Sequence, residues 1–311
     1  MRENGPILVP LDGSDLAEQG VPVAAALAKR AGTELHLVHV HLPLAPDPIY
    51  VEGLPVLDEQ MHPRRREHEQ AYLDGARARL AGDARATTRV IDGSAAASAL
   101  AAYARATGAP LVVLTTHARG GLERAWLGSV ADEMARVSPV PILLVQPKPG
   151  AVPAGFQRIL VPLDGSPLAE AILDHAMWIA RLEPKAEIVL LEIVQPIPSS
   201  TLVPQSLLAP GSAKEEITRA QEAPVREYLE GVAGRVKSAG LRCRTRVEFA
   251  GKVAAAILEA ARAESADLVA LCTHGHSGLV RIALGSVADK IVRASVVPVL
   301  LFRPGASPAA G

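Results

Sequence analysis

The five residues Pro10-Leu11-Asp12-Gly13-Ser14 decide how this sequence is interpreted, because they return unchanged as Pro162-Leu163-Asp164-Gly165-Ser166. A second stretch, Leu127-Gly128-Ser129-Val130-Ala131-Asp132, returns as Leu284-Gly285-Ser286-Val287-Ala288-Asp289. Two landmarks that recur in the same order indicate a duplicated unit of about 150 residues, far longer than the roughly 20 to 50 residues of a solenoid repeat. We therefore expect two domains, each with its own core, at 1–147 and 156–304.

The composition of the 311 residues narrows the class of protein. The formal net charge is −1 and Lys and Arg are dispersed, so neither nucleic acid nor a membrane surface is an expected partner. The basic run Arg64-Arg65-Arg66 is interpreted as a solvated helix face. Two cysteines, Cys243 and Cys272, cannot form a disulfide framework, and no apolar stretch reaches the roughly 18 residues that span a bilayer. We expect a cytoplasmic protein.

Each copy alternates short apolar runs with longer helical patterns, which is typical of βαβ units around a parallel sheet. The strands predicted in the first copy are 7–10, 34–40, 85–91, 111–115 and 142–145, with helices near 15–31, 63–81, 95–107 and 128–137. The strands predicted in the second copy are 159–162, 187–193, 242–249, 268–272 and 299–302. A Pro-rich connection follows the second strand of each copy and is typical of either a functional lid or a surface decoration.

Asp12 and Asp164 each stand between a strand that ends in Pro and a Gly-Ser that precedes a helix. In the structural interpretation, Ser14 and Ser166 cap the helices that follow and the Asp favours the helix N-terminus. In the functional interpretation, the carboxylate lies at the carboxyl end of the first strand, where open parallel sheets bind ligands, and accepts hydrogen bonds from ribose hydroxyls. The motif alone leaves both interpretations open.

The loop after the fourth strand of each copy leads into a Gly-Ser that opens a helix. It begins Thr115-Thr116-His117-Ala118 in the first copy and Cys272-Thr273-His274-Gly275 in the second. The free N–H groups and the dipole of a helix N-terminus suit a phosphate. The alternative is a capping box, which would pair Ser129 with Asp132 and Ser286 with Asp289. The matched distance of the Gly-Ser from the loop in both copies favours phosphate binding.

These motifs resemble the nucleotide-binding pattern of the universal stress protein family, G-x2-G-x9-G-[ST] preceded by the first-strand Asp. The resemblance covers nearly the whole chain as two tandem domains. It implies an α/β fold for each, flavodoxin-like or Rossmann-like, with a five-stranded parallel sheet of order 3-2-1-4-5 flanked by helices. The implied site of the second copy is Pro162, Asp164, Ile193, Cys272, Gly275, Gly285, Ser286 and Val287. That of the first is Pro10, Asp12, Val40, Thr115, Ala118, Gly128, Ser129 and Val130.

Departures from the pattern predict two unequal sites. Gly275 can adopt a positive φ and let its backbone approach phosphates, whereas Ala118 adds a methyl group and resists that conformation. Overfilling a fitted site costs about 1–3 kcal/mol, or about 5- to 150-fold in affinity. We expect the second copy to bind ATP better and the first to bind weakly or not at all. ADP and AMP are alternatives, and Mg²⁺ is a potential companion of the phosphates.

The sequence shows no catalytic machinery, because it contains neither a G-x-S-x-G elbow nor a Walker A motif. No dedicated metal site is predicted. The leading hypothesis is a nucleotide-binding stress-response regulator or sensor, and the alternatives are a slow nucleotide hydrolase and a ligand-free interaction scaffold. The resemblance also implies that the two domains pair within one chain along their fifth strands, and it leaves open whether two chains form a homodimer.

Overall fold

The computed structural model describes residues 4–42, 49–51, 54–56, 61–80, 85–118, 125–126, 128–146, 155–196, 212–273 and 284–305. Side chains are described over the same ranges except at 49–56, 61–62, 117–118, 125–126 and 212–218. The chain divides into two compact units. The main-sheet strands up to Val145 belong to the first unit, and those from Arg158 onward belong to the second.

The first unit is built around a parallel sheet. The elements before residue 147 are β1 (Ile7–Pro10), α1 (Asp15–Glu18), α2 (Val21–Ala31), β2 (Leu35–His41), β3 (Ile49–Val51), β4 (Leu54–Val56), α3 (Met61–Ala78), β5 (Ala86–Asp92), α4 (Ala96–Thr107), β6 (Val112–Thr115), β7 (His117–Ala118), β8 (Ala125–Trp126), α5 (Ser129–Val137) and β9 (Ile142–Val145). The strands pair in parallel in the order β5-β2-β1-β6-β9. This is the order 3-2-1-4-5 that the resemblance implies.

The second unit repeats the plan. Its elements are β10 (Arg158–Leu163), α6 (Pro167–Glu170), α7 (Leu173–Arg181), β11 (Glu187–Val194), α8 (Ser212–Ser238), β12 (Arg242–Phe249), α9 (Val253–Ala263), β13 (Leu268–Cys272), α10 (Ser286–Ala294) and β14 (Val299–Phe302). The strands pair in parallel in the order β12-β11-β10-β13-β14. Both units therefore have the expected flavodoxin-like α/β fold.

The core of each unit lies on both faces of its sheet. The central strands β6 and β13 are buried along nearly their whole length, which explains why their sequences are continuous apolar runs and do not alternate between apolar and polar residues. Helix α4 contacts α5 in the first unit, and α9 contacts α10 in the second. The start of α5 shares a cavity wall with the end of β6, and at the start of α10 the Gly285 N–H donates to the Thr273 carbonyl, just beyond β13, at 2.8 Å. Among the described residues, no helix combines the length and the apolar character needed to cross a bilayer.

The structure differs from the sequence-based expectations at one helix and at two short pairs of strands. The single helix expected at 15–31 is two helices, α1 and α2, separated at Gly20. Gly20 is buried, and a Cβ there would lie 3.0 Å from Thr115 Oγ1 on β6, so the chain approaches the sheet closely at this point. The antiparallel pair β3–β4 and the small two-stranded sheet β7–β8 were not expected, because both lie in segments interpreted as loops.

Candidate functional site

Each unit has a crevice at the carboxyl ends of its central strands. In the first unit, a cavity of about 490 Å³ is lined by Asp12 beyond β1, Thr115 at the end of β6, and Gly128 and Ser129 at the start of α5. In the second unit, a cavity of about 390 Å³ is lined by their counterparts, which are Asp164, Cys272, Gly285 and Ser286. Because the first strand of each unit pairs with its fourth, the two predicted motifs meet in one crevice.

The Asp-Gly-Ser loops have the same geometry in both units. Asp164 Oδ1 accepts hydrogen bonds from the Ser166 N–H at 3.1 Å and from Ser166 Oγ at 2.6 Å. At Asp12 Oδ1 the corresponding distances, from Ser14, are 3.0 and 2.6 Å. The intervening glycine has a positive φ of +76° at 165 and +91° at 13, the left-handed region that glycine adopts without strain. The loop thus fixes a carboxylate at the cavity wall.

The serine of each loop also caps the helix that follows. Ser14 Oγ accepts from the Ala17 N–H at 3.2 Å, and Ser166 Oγ accepts from the Ala169 N–H at 3.1 Å. This confirms the predicted capping role of Ser14 and Ser166. The structural and functional interpretations of the motif are therefore compatible, since the same loop caps a helix and presents a carboxylate to a cavity.

The Gly-Ser pairs do not form capping boxes. The N-cap residues are Gly128 and Gly285, so Ser129 and Ser286 already stand at the first helical position. The capping-box alternative was wrong because the acidic residue of each pair turns to an arginine one helical turn later. Asp132 pairs with Arg136, and Asp289 accepts from Arg293 Nε at 2.7 Å. A glycine cap supplies no side-chain acceptor, and neither helix start, as the structure describes it, has a side-chain cap hydrogen bond where it lines its cavity.

Most predicted site residues do line the two cavities. In the first unit these are Pro10, Asp12, Val40, Thr115, Gly128, Ser129 and Val130. In the second unit they are Pro162, Asp164, Cys272, Gly285, Ser286 and Val287. Ile193 is not among the residues that line the second cavity; strand β11 runs to Val194, and Gln195 beyond its end lines the wall instead.

Two predicted residues lie outside what the structure describes. Gly275 falls in the segment 274–283, which is outside the described residues. The backbone of Ala118 belongs to β7, but its side chain is outside the described set. The expected effect of the Ala118 methyl group therefore stays a prediction.

Two residues that were not predicted to belong to the site also line the first cavity. His39 donates from Nδ1 to the Leu11 carbonyl at 2.8 Å, which fixes its tautomer beside Asp12. Arg65 also lines the cavity and donates from Nη1 to the Leu42 carbonyl at 3.1 Å. Arg64 and Arg66 are exposed, as the prediction of a solvated helix face requires, whereas Arg65 is half-buried and also lines the cavity.

A repeated Glu–Tyr–Arg set ties the first helix of each unit to the long helix after the second strand. Arg79 Nη2 contacts both carboxylate oxygens of Glu18 at 2.6 and 2.7 Å. Burial, followed by the nearby Glu18 carboxylate, raises the pKa of Tyr72. Their counterparts are Glu170, Arg235 and Tyr228, and burial followed by Glu170 raises the pKa of Tyr228. These sets show that α3 in the first unit and α8 in the second unit occupy equivalent positions in their own units.

The second cavity contains a thiol in place of the Thr115 hydroxyl. Cys272 is 8% exposed, and burial raises the pKa of its thiol to about 12. The side chain is therefore a neutral, apolar part of the wall near neutral pH.

The family model for universal stress proteins matches residues 3–146 and matches again at residues 155–303. The chain belongs to the universal stress protein family. The two matched ranges correspond to the two structural units, so this universal stress protein is a tandem member with two repeated domains.

Similar proteins include relatives that match nearly the whole chain and relatives that match part of it. A universal stress protein of Mycolicibacterium smegmatis is 27% identical over 302 residues, which covers 96% of this chain and 97% of that protein. A universal stress protein of Mycobacterium tuberculosis is 29% identical over 196 residues, which cover 63% of this chain and 62% of that protein. The crystal structure of a universal stress protein from Archaeoglobus fulgidus has a TM-score of 0.66 at 15% identity and is matched over 98% of its chain and 96% of this one. This last similarity establishes the shared fold.

Proposed function

We propose that this universal stress protein binds an adenine nucleotide, with ATP as the first candidate, in the crevice of the second unit. One observation carries the proposal: Asp164 and the helix start at Gly285-Ser286 line the same cavity. The carboxylate can accept hydrogen bonds from ribose hydroxyls, and the helix start can hold phosphates. The cavity of about 390 Å³ falls within the range of about 300–1,000 Å³ typical of small-molecule sites.

The phosphate end of the proposed site depends on α10. Its first backbone N–H groups and the positive end of its dipole favour a negative charge at Ser286 and Val287. A Mg²⁺ ion would neutralise further phosphate charge when bound with ATP. ADP or AMP would use the same carboxylate and fewer contacts at the helix start.

The proposed role is that of a cytoplasmic stress-response regulator whose second unit is stabilised by nucleotide. A ligand at 100 times its dissociation constant stabilises the form it binds by about 2.7 kcal/mol. Occupancy of the crevice can therefore change the population of one conformation of this unit. Pairing of the two domains along β9 and β14, and association of two chains, remain predictions.

The proposal is tested by placing a negative charge at the helix start. In Ser286→Asp the new carboxylate favours the helix dipole, so folding is maintained, but it repels a phosphate. The full chain should bind ATP with a Kd below 1 mM in isothermal titration calorimetry, and Ser286→Asp should weaken binding by about tenfold or more.

The matched control is Ser129→Asp at the equivalent position of the first unit, which should change ATP affinity far less. Urea unfolding of both variants checks that the fold is intact. Absence of ATP binding at millimolar concentration would refute the proposal, and so would equal affinities of Ser286→Asp and the unsubstituted protein.

A further inference from the structure

The strand order divides each crevice into three parts. In the first unit the helix start at Gly128-Ser129 lies on the β6 side, and Asp12 stands in the middle beyond β1. The remaining part lies on the β2 side, where Leu42 and Arg65 line the wall. If phosphate and ribose occupy the first two parts, as the proposed function requires, the base of the nucleotide lies on the β2 side.

A chain of polar contacts holds Arg65 at this wall. Its Nη1 donates to the Leu42 carbonyl at 3.1 Å, and its Nε lies 3.4 Å from Glu69 Oε1. Glu69 is only 6% exposed, and its Oε2 accepts from His41 Nδ1 at 2.7 Å. His39 Nε2 lies 3.6 Å from Glu69 Oε1. The guanidinium is therefore positioned by a buried carboxylate, which itself is held by neighbouring imidazoles.

The second unit shows that this cluster is not needed for the fold. Strand register and the repeated Glu–Tyr–Arg sets align the two copies residue by residue. The positions of His41, Arg65 and Glu69 are occupied in the second copy by Val194, Gln221 and Val225. The same sheet order forms without the cluster. On the β11 side of the second cavity, Gln195 lines the wall where the first copy has Leu42, and its Nε2 donates to the Gly251 carbonyl at 3.5 Å, which leaves its second N–H and its oxygen for a ligand.

We propose that the two crevices select different purine bases, with Arg65 directing the first toward a guanine nucleotide and Gln195 directing the second toward an adenine nucleotide. The inference rests on the proposed function and extends it to base selectivity. A guanidinium has only N–H donors, which match the O6 and N7 acceptors of guanine and oppose the N6 amino group of adenine. A glutamine amide carries a donor and an acceptor, which match N7 and the N6 amino group of adenine.

The experiment measures the two crevices separately in the full chain. Asp164→Ala weakens the second site and leaves the first to be titrated with GTP and with ATP, and Asp12→Ala does the reverse. The first crevice should prefer GTP, and the second should prefer ATP, each by about 5- to 30-fold. Arg65→Met should abolish the preference of the first crevice, and Gln195→Leu, which installs the Leu42 side chain, should reduce that of the second.

Arg66→Met is the matched control, because Arg66 is exposed on the same helix, pairs with Asp92, and carries the same charge. It should leave the GTP preference of the first crevice unchanged. The inference is overturned if both crevices prefer the same base, or if Arg65→Met and Arg66→Met have equal selectivity. In those cases the proposed function stands as long as the second crevice still binds ATP with a Kd below about 1 mM. If neither nucleotide binds either crevice, both the inference and the proposed function fail.

Discussion

The duplicated loops offer a stability comparison in which chemistry is constant and burial differs. Ser166 and Ser14 make the same two contacts: each donates to the Asp two residues earlier and accepts from the backbone N–H three residues later. Ser166 is 5% exposed and Ala169 is 7% exposed, whereas Ser14 is exposed to solvent. Substituting each serine by alanine therefore removes identical hydrogen bonds from two different environments.

The expected costs follow from that difference. Removing a serine N-cap lowers the free energy of unfolding by about 1 kcal/mol. In Ser14→Ala, water can replace the lost oxygen, so the total should stay near about 1 kcal/mol. In Ser166→Ala, the Ala169 N–H is left in a buried place, which adds about 1–2 kcal/mol. We expect Ser166→Ala to cost about 2–3 kcal/mol.

The assay is hydrogen–deuterium exchange mass spectrometry over a urea series, because peptides from each unit report the unfolding of that unit alone. Protection in peptides of β10 and β11 gives the cost of Ser166→Ala, and protection in β1 and β2 gives that of Ser14→Ala. Equal costs within error, or a larger cost for Ser14→Ala, would refute the reasoning from burial.

Two further predictions concern stability. Hydrogen bonds from Arg244 and then Arg246 lower the pKa of Glu264 to about 2, so this carboxylate stabilises the fold above its unfolded pKa of about 4.3. The contribution is lost as the pH falls from there to about 2, and Glu264→Gln should flatten the acid limb of urea unfolding; an unchanged limb would contradict this assignment. Leu73 and Leu229 stand at equivalent positions of α3 and α8 and are both 0% exposed. Substituting either by alanine should lower the free energy of unfolding of its unit by about 2–5 kcal/mol in the same exchange assay. A large loss for one variant and none for the other would contradict the equivalence of the two helices.

Much of the fold could be predicted from the sequence because its signals are local. Apolar runs such as Val112–Leu114 mark buried parallel strands, and the repeated Asp-Gly-Ser marks the loop after the first strand of each copy. The spacing of the motifs does not determine the strand order, which was expected only from the family resemblance. The break at Gly20 escaped prediction, because it depends on close approach to Thr115, which lies 95 positions later in the chain.

The sequence predicted the backbone motifs of the candidate site, but it did not predict that Arg65 lines the first cavity. A Ser followed three residues later by Asp satisfies the capping-box pattern. In the structure, however, the N-cap residue is Gly128, and Asp132 forms an ion pair with Arg136. Three consecutive arginines look alike in sequence, and only the rotation of α3 on the sheet decides that Arg65 faces the crevice. The spacing of Arg65 and Glu69, one helical turn apart, was the available signal.

The most direct test of nucleotide binding in the second crevice uses the two cysteines of the chain. Cys272 lines the cavity, whereas Cys243 lies on β12 of the same unit and is not among the lining residues. Burial raises the pKa of both thiols, to about 12 and about 11, so both should react slowly with a small methanethiosulfonate reagent. We predict that saturating ATP slows modification of Cys272 by about tenfold while Cys243 is unchanged, as followed by peptide mass spectrometry. An unchanged rate at Cys272, or equal slowing at both cysteines, would contradict a nucleotide seated in this crevice.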